Sequence, residues 1–150
     1  MYSFIKKTKD DEKVTIDDVL DIESRFGFKM PEILKDFYLM YNGSSIYPCV
    51  FSIDGYEVEV AKLVELKYGF LPLEKIIEMD RTDGFIPFDM IPVARNSGGD
   101  YYYWNNQSDQ VYLYLSDSIE DPIWICENAE EFFSLLERNC QADPEFSRQT

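Results

Sequence analysis

Glu23-Ser24-Arg25-Phe26-Gly27-Phe28-Lys29-Met30-Pro31 decides how the chain is organised, because one helix must stop inside it and another must start at its end. Upstream, Thr15 can cap first-turn N–H groups, and Asp18 stands three residues on in the capping-box position. Ile16, Val19, Leu20, Ile22 and Phe26 recur at helical spacing and predict one apolar face. Gly27 is the expected residue past the helix end, since it tolerates a positive φ. Pro31 suits the first turn of the next helix, where its missing N–H has no helical acceptor anyway. Leu34, Phe37, Tyr38 and Tyr41 share one side of that helix, and Asn42-Gly43 ends it. So short a connection predicts that the two helices pack as neighbours.

Beyond Gly43 the pattern turns to strand. Tyr47 to Ile53 is apolar and β-rich, Asp54-Gly55 is a two-residue turn signal, and Tyr56 to Val60 alternates. A hairpin is expected, with Glu57 and Glu59 on one face and Tyr56, Val58 and Val60 on the other. Leu73 to Met79 reads as a short helix after Pro72, followed by a polar turn over 80–84. Pro87 and Pro92 confine the strand-like run Ile86 to Ala94 to an edge, a strand start or a bulge. After the turn Asn96-Ser97-Gly98-Gly99, Tyr101 to Trp104 and Val111 to Leu115 are expected to pair. Pro122 to Cys126 is a last strand. Asn128 and Glu131 open a final helix with a second capping box, and Phe132, Phe133, Leu135 and Leu136 press it on the sheet. Residues 1–14 read as a polar lead-in or edge segment, and the tail from Gln141 as a fraying end.

The 150 residues amount to one domain, 1–150, with a core over about 15–139 and polar ends. An apolar share of 45% and an aromatic share of 16% favour folding over disorder. With 29 acidic against 14 basic residues the net charge is −15, which repels nucleic acid and anionic membranes and suits a basic protein partner. Solubility alone is the plainer account of the same charge. The N-terminus shows no apolar signal core, and no run approaches the roughly 20 apolar residues of a membrane helix. The cysteines are Cys49, Cys126 and Cys140: an odd number without a Cys-x-x-Cys pair. This argues against a disulfide framework or zinc site and for a reducing cytoplasm.

Catalytic machinery is hard to find. The chain has no histidine, which removes the commonest general base, the Ser-His-Asp triad and most catalytic zinc arrangements. Gly98-Gly99 does not make a dinucleotide fingerprint, no Walker motif occurs, and Asn105 to Asp109 lacks the glycine and terminal glutamate of a calcium loop. A carboxylate-based hydrolase stays open in principle, but 29 acidic residues produce pairs by chance. The expectation is a protein that is not an enzyme, with no cofactor, no metal and no small-molecule ligand.

Two features suggest a binding face. In the run Tyr101-Tyr102-Tyr103-Trp104, Tyr102 and Trp104 point one way and Tyr101 and Tyr103 the other. One pair can anchor a partner while the other is core, although a central strand can have both faces covered. Acidic residues also gather near turns, at Asp54, Glu57, Glu59, Asp80, Asp83, Asp117, Glu120 and Asp121. Each can equally be a solvated surface charge. The candidate partner-binding positions are Asp54, Glu57, Glu59, Asp100, Tyr102, Trp104, Asp117 and Glu120.

Taken in order, these pieces resemble the SUKH superfamily, which includes the Smi/Knr-type cell-wall regulators. The resemblance is carried by Glu23 to Pro31, by Phe37-Tyr38-Leu39-Met40-Tyr41-Asn42-Gly43, by Ile91-Pro92-Val93-Ala94 with Gly98-Gly99-Asp100-Tyr101, and by Phe132-Phe133-Ser134-Leu135-Leu136. It spans residues 15 to about 139. Met30 departs from the usual leucine, and the aromatic run after Asp100 is unusual. The resemblance implies an α+β fold, with helices packed on a twisted, mostly antiparallel mixed sheet. It also implies either an immunity protein that neutralises a toxin domain, often a nuclease, or a regulatory or adaptor module binding a host protein. A nuclease must be basic to hold phosphate, so an acidic inhibitor suits it.

Overall fold

The computed structural model describes residues 2–117 and 121–140. Thr15 caps helix α1 (Ile16–Phe26) with both arms of the expected box: its hydroxyl accepts from the Asp18 N–H, and the Asp18 carboxylate accepts from the Thr15 N–H. Gly27 ends the helix at φ 74°. The buried stripe runs through Val19, Ile22 and Glu23, with Phe26 packed beside it; Ile16 and Leu20 lie on its flank and stay about half exposed. Glu23 is the unexpected member. Its carboxylate accepts the Met30 N–H at 2.6 Å and approaches the Lys35 ammonium, so it ties down the linker that leads into α2 (Glu32–Tyr41).

Helix α2 buries the four expected residues, Leu34, Phe37, Tyr38 and Tyr41. Its main helical neighbour is α4 (Ala129–Asn139) rather than α1. Phe37 packs against Phe133 with tilted rings, centroids 5.2 Å apart, and Tyr2, Phe4 and Tyr41 complete the aromatic group. The large apolar surface of these rings outweighs the proximity that a short linker imposes on α1 and α2. Phe4 is fully buried, so the first residues do more than lead in. They form strand β1 (Ile5–Lys7), which pairs antiparallel with β2 (Ser45–Ile46).

The expected hairpin forms between β3 (Cys49–Ile53) and β4 (Tyr56–Val60), with Asp54 and Gly55 both at positive φ in the turn. A five-stranded sheet follows in the order β5 (Lys62–Leu63), β6 (Met90–Arg95), β7 (Tyr101–Asn105), β8 (Val111–Tyr114), β9 (Ile123–Cys126). Every pairing among the described residues is antiparallel, and the four α-helices make the fold α+β. β6 is flanked on both sides despite Pro92, because the ladder with β7 shifts register between Pro92 and Ala94. Of the three places open to a strand proline, the bulge is the one used. Helix α3 (Leu73–Asp83) runs one turn beyond the expected Met79 and stops at Gly84, where φ is 77°. Asn128 caps α4 by accepting the Glu131 N–H at 2.7 Å.

The cysteine expectation is overturned. Cys49 and Cys140 form a disulfide across 91 residues, and Cys126 is the free, buried thiol. The two partners face each other in an isolated antiparallel bridge, where the end of α4 meets β3. Local spacing cannot reveal a pairing of that range. The compartment argument built on reduced cysteines loses its basis with it.

Asn42 and Gly43 serve a junction rather than a simple helix stop. The buried Asn42 carboxamide donates to the Glu12 and Leu66 carbonyls and accepts the Leu66 N–H, all within 2.9 Å. Gly43, at φ 79°, leaves room for the carboxyl groups of Glu12 and Glu65, which a Cβ would strike. Burial pushes the Glu65 carboxyl up, and its hydrogen bond with Glu12 adds to the rise; the same bond, helped by Lys9, holds Glu12 below the ordinary range. A carboxyl raised on folding contributes stability below its unfolded pKa and loses it as pH rises through the folded one. Lys62, 3.5 Å from Glu65, offsets part of that loss. Glu65→Gln keeps a permanent donor toward Glu12. It is expected to match the wild type near pH 4 and to exceed it by about 1 kcal/mol at pH 8 in urea unfolding.

Candidate partner-binding face

Strand β7 divides its aromatic residues between two faces of the sheet. Tyr102 pairs with Leu113 and Trp104 with Val111, and these side chains enter the main core beneath α2 and α4. Tyr102 is 0% exposed and Trp104 4%, so neither is available as a surface anchor. This corrects the expectation for both. Their polar atoms are used internally: the Tyr102 hydroxyl donates to the Glu59 carbonyl at 2.6 Å, and the Trp104 indole N–H donates to Asp109 at 2.6 Å.

Of the acidic candidates, Asp54, Glu57 and Asp117 are exposed, whereas Glu120 lies outside the described residues. Glu59 accepts from the Ser97 backbone at 2.7 Å and from its hydroxyl, and these bonds hold its carboxyl below the ordinary range. Asp100 accepts from the Ser116 N–H at 2.8 Å and the Asn96 carboxamide at 3.1 Å. Burial pushes Asp100 up, but those bonds hold it below its ordinary value. The structure thus brings Glu59, Tyr102 and Asp100 around the 96–100 turn as internal ties. Trp104, Asp54, Glu57 and Asp117 do not join that group.

The other face of β7 and β8 is the one left partly open. Tyr101 pairs with Tyr114 and Tyr103 with Tyr112, giving a tyrosine patch that includes Met90, with Ile86 packed against it. The Tyr103 hydroxyl donates to Asp80 of α3 at 2.7 Å, and its ring meets Tyr114 edge-on at 5.3 Å. A cleft opens here between Asp80, Asp83 and Asp100 and the rings of Tyr101, Tyr103 and Tyr114. Burial pushes the Asp80 carboxyl up, the Tyr103 bond pulls it down, and Asp83 adds to the rise. On the segment that joins α3 to β6, Phe85 is 73% exposed and Phe88 68%. Arg81 is spent on the fold: its guanidinium lies over the rings of Phe26 and Phe88 and donates to the Phe26 carbonyl.

The sequence held a signal for this face. In Val111-Tyr112-Leu113-Tyr114 the aliphatic residues alternate with tyrosines, so the strand that pairs with β7 already marks which side is core. That places Tyr102 and Trp104 in the main core and Tyr101 and Tyr103 on the opposite face, where Tyr103 is itself buried and only Tyr101 is partly exposed. Phe85 and Phe88 carry no such signal, because they lie in a connection without periodicity.

The helix–glycine–proline–helix opening, the Asn42-Gly43 junction and the closing aromatic helix occur in one order on this fold, and the family model of SMI1/KNR4 (SUKH-1) matches residues 13–135. The chain belongs to the SMI1/KNR4 (SUKH-1) family. This SUKH-1 chain is also 29% identical over 124 residues to the uncharacterized protein YnaB of Bacillus subtilis (strain 168), a match covering 79% of this chain and 73% of that protein. Among the described residues, the SUKH-1 chain has no cluster of three or more His, Cys, Asp or Glu that could hold a metal ion, and no helix long and apolar enough to cross a membrane.

Proposed function

We propose that this protein is an immunity protein, acting in the cytoplasm, that binds a cognate toxin domain stoichiometrically and blocks it without catalysis. The observation that carries this is the outer sheet face. There Asp80, Asp83 and Asp100 share a cleft with exposed Phe85, in a chain of net charge −15. Aromatic side chains of this kind supply the desolvated centre of an interface, and carboxylates accelerate the approach of a basic partner. A nuclease toxin presents such a basic surface, because it must hold phosphate. Exposed Asp54, Glu57 and Asp117 contribute to the same long-range field. The SUKH-1 membership supports a protein partner for this face. In a reducing compartment Cys49 and Cys140 stand as two thiols, and the core alone holds the fold.

The test is co-expression with the toxin-like domain encoded beside this gene in a sensitive host. Growth rescue is the expected outcome; no rescue, with both proteins produced and the toxin active, overturns the proposal and favours an adaptor role. For the purified pair, the association rate is expected to fall about tenfold or more between roughly 0.05 and 0.5 M salt, measured by stopped flow. A rate independent of salt removes the electrostatic part.

A further inference from the structure

The cleft beside α3 gathers carboxylates where a helix end disfavours them. Asp80 and Asp83 occupy the last turn of α3, at the negative end of the helix dipole, where cations rather than anions are favoured. Asp80 is also half-buried and stands close enough to Asp83 for the two charges to repel. Among the described residues no ion pair engages Asp80, Asp83 or Asp100. Arg81, the nearest cation in sequence, is held between Phe26 and Phe88. Unpaired carboxylates at a helix C-terminus are a local conflict of the kind that marks function.

The walls define what would relieve it. Tyr101, Tyr103 and Tyr114 line the cleft, and Phe85 stands at its rim. Aromatic faces do not ligate a hard metal ion, but they attract an organic cation through the ring quadrupole. A planar guanidinium combines both features of the site, since it stacks on a ring while donating two parallel hydrogen bonds to a carboxylate. We propose that this acid–tyrosine cleft is the receptacle for one arginine side chain projecting from the protein partner. It takes that partner to be a basic protein, as set out above, and adds the chemistry of its central contact. Charge complementarity selects the occupant: three carboxylates without an ion pair against one cation.

The experiment uses the full chain and a capped Gly-Arg-Gly peptide, with the matching citrulline and lysine peptides as controls. Citrulline keeps the shape of arginine and removes its charge. In an amide NMR titration at low salt, the arginine peptide is expected to saturate, with shifts concentrated at Asp83, Tyr101 and Tyr114. Binding is expected to be at least tenfold tighter than for citrulline and severalfold tighter than for lysine. Asp83→Asn, an exposed change, is expected to weaken the arginine peptide about fivefold. Tyr101→Phe keeps the ring and is expected to preserve binding, whereas Tyr101→Ala loses it. Equal binding of the citrulline peptide, unaltered affinity in Asp83→Asn, or shifts spread over the whole acidic surface would each overturn the assignment. Toxin rescue without peptide binding places the toxin contact elsewhere on the surface and sinks the arginine receptacle alone. Peptide binding without rescue keeps the receptacle and removes the toxin as its source.

Discussion

Cys140→Ser is expected to lower the unfolding free energy of the oxidised protein by about 4–5 kcal/mol. The bond joins residues 91 apart, so it closes a loop that takes in most of the chain. A cross-link of that span removes much of the entropy of the unfolded state, and the stabilisation grows slowly with loop length. Equilibrium urea unfolding checks this directly. A reductant is expected to bring the wild-type midpoint down to that of the variant and to leave the variant unmoved. The variant keeps two thiols, Cys49 and Cys126, both at fully buried positions, and burial pushes the Cys126 pKa up to about 12. Coincident midpoints for oxidised wild type and variant would mean that Cys49 and Cys140 are not bonded in solution.

Asn42→Ala is expected to cost about 3–4 kcal/mol, more than most single polar substitutions. The carboxamide satisfies both the N–H and the carbonyl of Leu66, and Leu66 is fully buried. Alanine leaves those two backbone groups without a partner and withdraws a donor from the Glu12 carbonyl. Each stranded buried group costs about 1–3 kcal/mol. Asn42→Asp is the informative companion, since it keeps an acceptor for the Leu66 N–H while losing the two donations. The alanine variant is expected to show a large loss of urea midpoint, with the aspartate variant no better at neutral pH. A loss under about 1 kcal/mol for alanine would show that the junction does not depend on the amide.

In the oxidised protein both devices brace the frame on which the candidate face sits; with the cysteines reduced, Asn42 and the core do so. The disulfide fixes the end of α4 against β3, and Asn42 fixes the approach of the chain to β5 and α3. Asp80 and Asp83 then take their positions from α3, and the tyrosines take theirs from β7 and β8. The cleft is therefore made by elements distant in sequence, which is why its halves look unrelated along the chain. The hairpin carrying Asp54, Glu57 and Glu59 is local, and its turn and facing were legible. What Glu59 does there was not, because its partner Ser97 lies 38 residues away.

By itself the sequence determined the elements whose causes are local. Thr15 with Asp18, Gly27 and Pro31 set the ends of the first two helices, and Asp54-Gly55 set a hairpin, because caps and turns depend on a few adjacent residues. It also determined the charge of −15 and the absence of histidine. Tertiary structure decided what depends on neighbours far along the chain. It packed α2 against α4, joined Cys49 to Cys140, drew Tyr102 and Trp104 into the core, and left Tyr101 and Tyr103 facing Asp80 and Asp83. Alternation in Val111–Tyr114 marks the aliphatic side of β8 as core, but only the β7–β8 register formed in the folded sheet assigns Tyr102 and Trp104 to that side.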